Sequence, residues 1–242
     1  MPRIFGFYQL NRRTKLAIVA VLAALLVTSS VVYVQAYHKL KPIYQIETDK
    51  KAVALTFDIS WGNNTPAPVI DILKENNIKC TFFLSGPWVK QYPEIPKRIK
   101  AEGHEIASHG YRHINLSKLS KSEIKDEIMK AHNNIKEVTG VNAKLIRTPN
   151  GDYNDQVIAA AHEINYEVIQ WSVDSLDWMN PGVATITERV SKKVHPGAII
   201  LMHASDTCKQ TVEALPGVIK ELKDQGYEFK TVSELSKLNA KK

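Results

Sequence analysis

The sequence predicts an α/β domain in which parallel strands alternate with helices, preceded by one N-terminal transmembrane helix. Three observations predict this arrangement. From residue 52 onward, short apolar runs of strand length alternate with helical patterns. Several of these runs are continuously apolar, which is typical of strands covered on both faces. An uncharged stretch of 22 residues, Leu16 to Tyr37, precedes the domain and has the length that a membrane-spanning helix needs.

The flanks of the uncharged stretch predict its orientation. Residues 1–15 form a basic tail that ends in Arg12, Arg13 and Lys15, and such a tail stays in the cytoplasm. Residues 16–37 are therefore interpreted as an anchor, and residues 38–51 as a linker to a domain outside the cell membrane. The sequence predicts a single-pass membrane protein with an extracytoplasmic domain.

A cleavable signal peptide is the alternative interpretation of residues 16–37. Val34–Ala36 resembles a small-residue cleavage site, so cleavage after Ala36 would release a secreted protein. The apolar character resumes at Val31–Val34, which favours an uncleaved anchor. Export of the domain follows from both interpretations.

The charge distribution excludes a nucleic-acid partner. The net charge of the chain is +7. Residues 1–51 carry eight Lys or Arg against two acids, whereas residues 52–242 carry 24 against 23. The domain is therefore nearly neutral and has no basic footprint for nucleic acid. Cys80 and Cys208 are too few for a disulfide framework, and we expect free, structural thiols.

Seven apolar runs predict the strands. They are Val53–Phe57, Cys80–Leu84, Glu105–Ala107, Leu145–Arg147, Tyr166–Trp171, Ala198–Met202 and Phe229–Val232.

Capping signals predict the helices between these strands. Helix starts are predicted at Thr65–Pro66 and at the capping boxes Ser120–Glu123 and Thr185–Glu188. Gly140 and Gly226 predict helix ends. Successive β-then-α units indicate a parallel sheet, either a closed or incomplete barrel or an open doubly wound sheet.

Polar side chains follow the predicted strands. In both architectures the functional groups lie beyond the carboxyl ends of the strands. His109 and His113 are four residues apart, a spacing that can turn two imidazole rings toward one metal ion. The side chains expected to converge at this edge are those of Asp58, His109, Arg147, Asp174, Asp177 and His203.

Five segments carry a resemblance to a known family. They are Thr56–Ile59, His109–His113, Arg147–Gly151, Asp174–Trp178 and Leu201–His203. In this order they resemble the five motifs of the polysaccharide deacetylases with the NodB homology domain. The resemblance covers roughly Ala52 to Leu235 and implies that residues 52–237 fold as a distorted (β/α) barrel with about seven parallel strands. The anchor and the stretch Asp58–Gly62 most resemble the sporulation-associated, PdaB-like branch.

The resemblance implies a metal-dependent N-deacetylase. Such a hydrolase cleaves the non-peptide C–N bond of acetylated sugars in a cell-wall or spore-cortex glycan such as peptidoglycan. Water is a poor nucleophile and the amine a poor leaving group, so the reaction needs a metal ion and a positioned acid. The implied partners are an acetylated glycan polymer and, through residues 16–37, the membrane.

The resemblance also implies a role for each matching residue. Asp58 would be the general base and His203 the general acid. Asp177 would hold the His203 ring, and Arg147 would pair with a catalytic carboxylate. The expected substrate contacts are Trp178 and Pro149, and the expected ligands of a divalent metal, Zn²⁺ or Co²⁺, are His109 and His113.

Three positions depart from the family pattern. Ile59 replaces the aspartate that supplies the third metal ligand, Gly110 replaces a Ser or Thr, and Asn150 replaces an aromatic residue. Isoleucine cannot coordinate a metal, whereas a catalytic metal normally has three protein ligands. One hypothesis is a working enzyme whose metal site is completed by water, by Asp58 or by the amide of Asn63 or Asn64.

Two alternatives remain. One is a weak or inactive glycan-binding protein that keeps the fold, because Ile59 has removed a ligand. The other is hydrolysis of a small cyclic amide, against which the predicted export counts.

Overall fold

The computed structural model describes residues 11–23 and 40–239 and divides the chain into two units, Met1–Leu40 and Lys41–Lys242. In the first unit residues 12–23 are helical, and apolar side chains such as Leu16 and Val19 are exposed. Most of the predicted anchor lies outside the described residues. Within the described ranges, no helix is both long and apolar enough to cross a bilayer.

The second unit is built on one parallel sheet. The strands are β1 (Ala52–Ile59), β2 (Thr81–Leu84), β3 (Glu105–Ser108), β4 (Leu145–Ile146), β5 (Glu167–Val168), β6 (Val173–Asp174), β7 (Ile199–His203) and β8 (Glu228–Lys230). Seven of them follow the order β5-β4-β3-β2-β1-β7-β6, and β8 pairs with the start of β1. This curled, parallel (β/α) arrangement confirms the predicted fold of the domain.

Helices cover the sheet between the strands. They are α1 (Pro66–Glu75), α2 (Gly86–Gln91), α3 (Glu94–Ala101), α4 (Lys121–Thr139), α5 (Asp155–Glu163), α6 (Val183–Lys193), α7 (Thr211–Asp224) and α8 (Val232–Ser236). Short 3₁₀ turns occupy Leu116–Lys118, Pro149–Gly151 and Asp177–Met179.

The central strand β1 places the first functional residue. All eight of its side chains are buried, and β2 and β7 pair with its backbone on either side. The Phe57 ring stacks on Phe82 of β2, with ring centroids 5.3 Å apart. Asp58, near the carboxyl end, is the charged residue of this buried strand, and burial of a charge requires a partner charge.

One predicted strand is shorter in the structure. The run Tyr166–Trp171 is predicted to form a single strand, but only Glu167–Val168, β5, pairs with β4, and a separate strand, β6, follows the run. The chain then turns, and β6 pairs with β7 at the other end of the sheet. Two isolated bridges join the linker to the segments next to these strands. Ile43 pairs with Ile169, which follows β5, and Gln45 pairs with Ala198, which precedes β7.

The capping predictions are confirmed in part. Ser120 and Glu123 form the predicted capping box, and Gly140 ends α4 in the left-handed conformation. The predicted box at Thr185–Glu188 is wrong because α6 begins earlier, after Gly182 with a φ of 109°. At α1 the Thr65 side chain makes no capping hydrogen bond. Both cysteines are free and buried, as predicted.

Candidate active site

A buried ion pair forms the floor of the site. Arg147, which follows β4, is fully buried, and its Nη1 donates to Asp58 Oδ1 at 2.8 Å and to Thr56 Oγ1 at 2.8 Å. Nη2 donates to the Gln170 carbonyl at 3.1 Å. The guanidinium also lies 4.1 Å from the centroid of Phe83, a cation–π contact. These contacts fix the carboxylate in one orientation.

The ion pair keeps Asp58 charged. Burial alone would raise the pKa of Asp58, but the positive charge of Arg147, together with His109 and His203, lowers the pKa below its usual range. Asp58 is therefore ionised at neutral pH. Because Arg147 holds Oδ1, Oδ2 is the oxygen directed at the first histidine of the pair.

His109 presents a free imidazole nitrogen to this carboxylate. Its Nδ1 lies 2.8 Å from the Arg147 carbonyl, which can only accept, so the proton sits on Nδ1 and Nε2 keeps its lone pair. Nε2 lies 3.7 Å from Asp58 Oδ2. Burial lowers the pKa of His109 to about 4, so the ring is neutral near pH 7 and ready to bind a metal.

His113 completes the histidine pair. Its ring centroid lies 5.3 Å from that of His109 and 4.7 Å from that of Trp61. Burial lowers the pKa of His113 as well. Gly110, between the two histidines, has a φ of 76°, a conformation in which a Ser or Thr would be strained. The structure therefore brings the predicted pair together, through a turn that glycine favours.

A second carboxylate holds the predicted acid. Asp177 is fully buried, and its Oδ1 lies 2.7 Å from His203 Nδ1. Its Oδ2 accepts from the His203 backbone N–H and from Thr211 Oγ1, both at 2.7 Å. Burial would lower the pKa of His203, but the hydrogen bond and charge of Asp177, aided by Asp58, raise it. His203 is therefore poised to carry a proton near neutral pH.

One cavity of about 430 Å³ collects these groups at the carboxyl ends of the strands. Its lining includes Asp58, His109, His113, His203, Trp61 and Trp178. The Trp178 ring is half-exposed. Pro149 is buried against Gly110, while its neighbours Asn150 and Gly151 line the cavity. A substrate contact by Pro149 stays a prediction.

The donor set fits a divalent metal in part. His109 and His113 supply two imidazoles, and Asp58 Oδ2 supplies a nearby carboxylate oxygen. Ile59 is fully buried and does not belong to the cavity lining. Asn64 does not replace it: its side chain donates to Asp206 at 2.6 Å, outside the lining.

A second group of potential ligands lies beside the acid. One donor atom each of Asp177, His203 and Cys208 lies within 4.8 Å of the others. The hydrogen bonds described above occupy both oxygens of Asp177, and burial, with the charge of Asp177, raises the pKa of Cys208 to about 12. In this arrangement Asp177 is engaged with His203 and Thr211, so the group positions His203.

Several contributors to the site were not expected from the sequence. Gln170 offers only its backbone carbonyl to Arg147, so its side chain carried no signal. Thr211 belongs to α7, far along the chain from Asp177, and its hydroxyl looked like any helix-terminal threonine. Thr56 lies inside the first motif segment and could have been singled out there.

The fold and its cavity define a curled, parallel (β/α) protein, an incomplete barrel, whose titratable groups meet at the carboxyl ends of the strands. The family model described as polysaccharide deacetylase matches residues 45–169. The chain belongs to the polysaccharide deacetylase family.

Two relatives and one solved structure are similar to the chain. Peptidoglycan-N-acetylglucosamine deacetylase PgdA of Listeria monocytogenes is 38% identical over 84% of this chain and 42% of its own length. Uncharacterized protein YlxY of Bacillus subtilis is 37% identical over 81% of this chain and 60% of its own length. The chain thus spans less than two thirds of either relative.

The solved structure is BA3943 of Bacillus anthracis, described as a CE4 family pseudoenzyme. It is 37% identical, with a TM-score of 0.78 over 82% of this chain and 69% of BA3943. A mutant of BA3943 is described as having restored enzymatic activity.

Proposed function

We propose that this chain is a metal-dependent N-deacetylase that acts on an N-acetylated cell-wall or spore-cortex glycan such as peptidoglycan. The observation that carries the proposal is the meeting of two opposed units in one cavity: the Asp58–Arg147 pair beside His109, and the Asp177-held His203. Amide hydrolysis needs both a base for the attacking water and an acid for the departing nitrogen. The names of the relatives support the substrate class.

His109 and His113 would hold the metal, with Asp58 Oδ2 as the adjacent oxygen. A bound divalent cation such as Zn²⁺ would acidify its water and polarise the acetyl carbonyl. Asp58 takes the water proton on Oδ2, because Arg147 occupies Oδ1. Asp177 stabilises the imidazolium form of His203, which then donates its proton to the leaving nitrogen and becomes neutral.

The substitution at position 59 gives Asp58 two competing tasks. Because Ile59 offers no ligand, Asp58 Oδ2 is the carboxylate oxygen near the histidine pair that can complete the ligand set. An oxygen whose lone pair coordinates a metal is a weaker base. We therefore expect slow turnover, limited by the weakened base Asp58 and not by the acid His203.

A glycan-binding protein without catalysis is the second candidate. It is favoured by the buried Ile59 and by the likeness to a CE4 pseudoenzyme. It predicts binding of acetylated glycan with no acetate released at any metal concentration.

Acetate release from acetylated peptidoglycan fragments tests the proposal. We expect release by purified protein loaded with Zn²⁺ or Co²⁺, its loss with a chelator, and its loss in Asp58→Asn. The matched control is His162→Gln, a half-exposed histidine on α5 outside the cavity. Glycan binding without metal-dependent release by the wild-type chain would favour the second candidate.

We further propose that residues 16–37 anchor the protein in the cell membrane with the domain outside. The support is the uncharged 22-residue stretch behind a basic tail. Protease treatment of intact cells should degrade the domain, and the N-terminal sequence of the mature chain should begin before residue 16. A mature chain beginning at Tyr37 would show cleavage and secretion instead.

A further inference from the structure

The loop after β1 is held by a carboxylate from another strand end. Asp206, after β7, accepts hydrogen bonds from the backbone N–H groups of Asn63 at 3.2 Å, Asn64 at 2.9 Å and Thr65 at 2.9 Å. The Asp206 N–H donates in turn to the Trp61 carbonyl at 3.0 Å. The loop 60–65 is thus fixed to the loop that follows His203.

Two further contacts rigidify the same loop. Trp88 Nε1 donates to the Gly62 carbonyl at 2.6 Å. Gly62 has a φ of 74°, and a Cβ there would lie 2.1 Å from Asp206 Cγ, so no other residue fits this close approach. These contacts tie the backbone of the loop to α2 and to the loop that follows His203.

The side chain that this loop presents is an exposed indole. Trp61 is 50% exposed, lines the cavity and lies against the His113 ring. Its position is set by hydrogen bonds to its backbone and not by burial of its ring. An exposed aromatic ring that lines a cavity with several titratable groups is a typical ligand-contact surface.

A second indole lies on the other side of His203. Trp178, which follows β6, is 51% exposed and lines the same cavity. Strand β7 lies between β1 and β6 in the sheet, so the loops that carry Trp61 and Trp178 flank the strand end that carries His203. A ligand centred on His203 therefore has an indole on each side.

We propose that Trp61 forms a pyranose-stacking subsite that binds the sugar next to the reacting residue, with Asp206 as its positioning residue. A hexopyranose ring has C–H faces that pack on an aromatic ring, while its hydroxyls stay in water. The choice of an N-acetylated glycan as ligand rests on the proposed function. We expect oligomers to fill this subsite, because Trp61 follows β1 whereas His203 ends the neighbouring strand β7.

The test compares binding of N-acetylglucosamine with binding of its β-1,4-linked tetramer by calorimetry, in metal-free protein. We expect Trp61→Ala to weaken tetramer binding about tenfold, equivalent to about 1.4 kcal/mol, and to leave binding of the monomer unchanged. Trp61→Phe should restore most of the loss. Met179→Ala is the matched control, because Met179 is also exposed but lies outside the cavity lining.

Asp206 is tested through Trp61. Asp206→Ala should weaken tetramer binding in the wild-type background and cause no further loss in Trp61→Ala, since Asp206 acts through the indole. Equal losses in both backgrounds would show a general structural role for Asp206 and contradict its positioning role.

The outcomes separate the subsite from the proposed function. Unchanged tetramer binding in a folded Trp61→Ala protein, an equal loss in Met179→Ala, or no glycan binding by the wild type would overturn the subsite. Trp61-dependent binding without metal-dependent acetate release would preserve the subsite and reject the deacetylase. Metal-dependent acetate release together with glycan binding that does not depend on Trp61 would preserve the deacetylase and reject the subsite.

Discussion

The cavity has an acid side, formed by His203 and Asp177, and a metal side, formed by Asp58 and the histidine pair. The two sides differ in how completely the side chains of this protein hold their functional groups. On the acid side both oxygens of Asp177 are hydrogen-bonded, to His203 and to Thr211, each at 2.7 Å. On the metal side Arg147 holds one oxygen of Asp58, while the other lies 3.7 Å from His109 Nε2. The neighbouring side chain, Ile59, offers no donor. The acid side therefore has all its hydrogen-bond partners within the protein. On the metal side, Asp58 has to serve both as a metal ligand and as the base.

The largest predicted effect separates the two sides directly. His203→Ala removes the proton donor and should lower the rate of acetate release by about 10²–10⁴-fold without changing the metal content. His109→Ala should lower both. Metal analysis and acetate release on the same samples check this. Loss of metal in His203→Ala would show that the two sides are not separate.

Arg147 provides the next largest effect, because it is a buried charge that serves the metal side. Arg147→Met leaves Asp58 buried without its partner, and we expect a loss of about 3–5 kcal/mol in the free energy of unfolding. Urea denaturation measures it. Arg98→Met is the control, since Arg98 pairs with Asp71 at the surface and should cost about 0–1 kcal/mol.

A double variant sharpens the Arg147 prediction. Asp58→Asn together with Arg147→Met removes both charges and should recover part of the lost stability. Strict additivity of the two single losses would contradict the ion pair.

The smallest predicted effect is a shift in pH dependence on the acid side. Burial would lower the pKa of His203, but Asp177 raises it, so His203 keeps its proton to a higher pH than a free histidine does. Activity should therefore fall as pH rises through this raised pKa. Asp177→Asn removes the hydrogen bond to the charged form and the negative charge. The basic limb of the rate profile should then move to lower pH.

The same linkage applies to stability. The His203–Asp177 pair contributes to the free energy of unfolding. This contribution is complete below the pKa of His203 in the unfolded chain and is lost as pH rises through the raised pKa of His203 in the folded protein. An unchanged basic limb in Asp177→Asn would assign that limb to another group.

The sequence predicts the central strands and a helix cap of this molecule better than the order in which its strands pair. Apolar runs predicted the central strands because burial on both faces demands them, and the Ser120 capping box was readable because both partners lie within one turn. The early end of β5 within Tyr166–Trp171, and the separate strand β6 at the opposite edge of the sheet, were not predicted, since local composition does not say where a chain changes its partner strand.

The site follows the same rule. The titratable side chains were predicted from strand ends and motifs, but their supports come from distant residues such as Thr211 or from backbone carbonyls such as that of Gln170. Asp206 escaped prediction for the same reason: its partners are backbone N–H groups far away in the sequence.

Metal affinity measured together with acetate release, for wild type and Ile59→Asp, tests the central claim most directly. The claim is that the wild-type chain is a working enzyme whose metal side lacks one ligand. We expect the wild type to bind Zn²⁺ weakly and release acetate slowly, and Ile59→Asp, which adds a third protein ligand, to bind Zn²⁺ more tightly and to turn over faster. Ile59→Asn, of matched size but uncharged, should gain little. A wild type with neither metal nor acetate release, beside an Ile59→Asp variant that has both, would contradict the claim and identify a glycan-binding protein that has lost its chemistry.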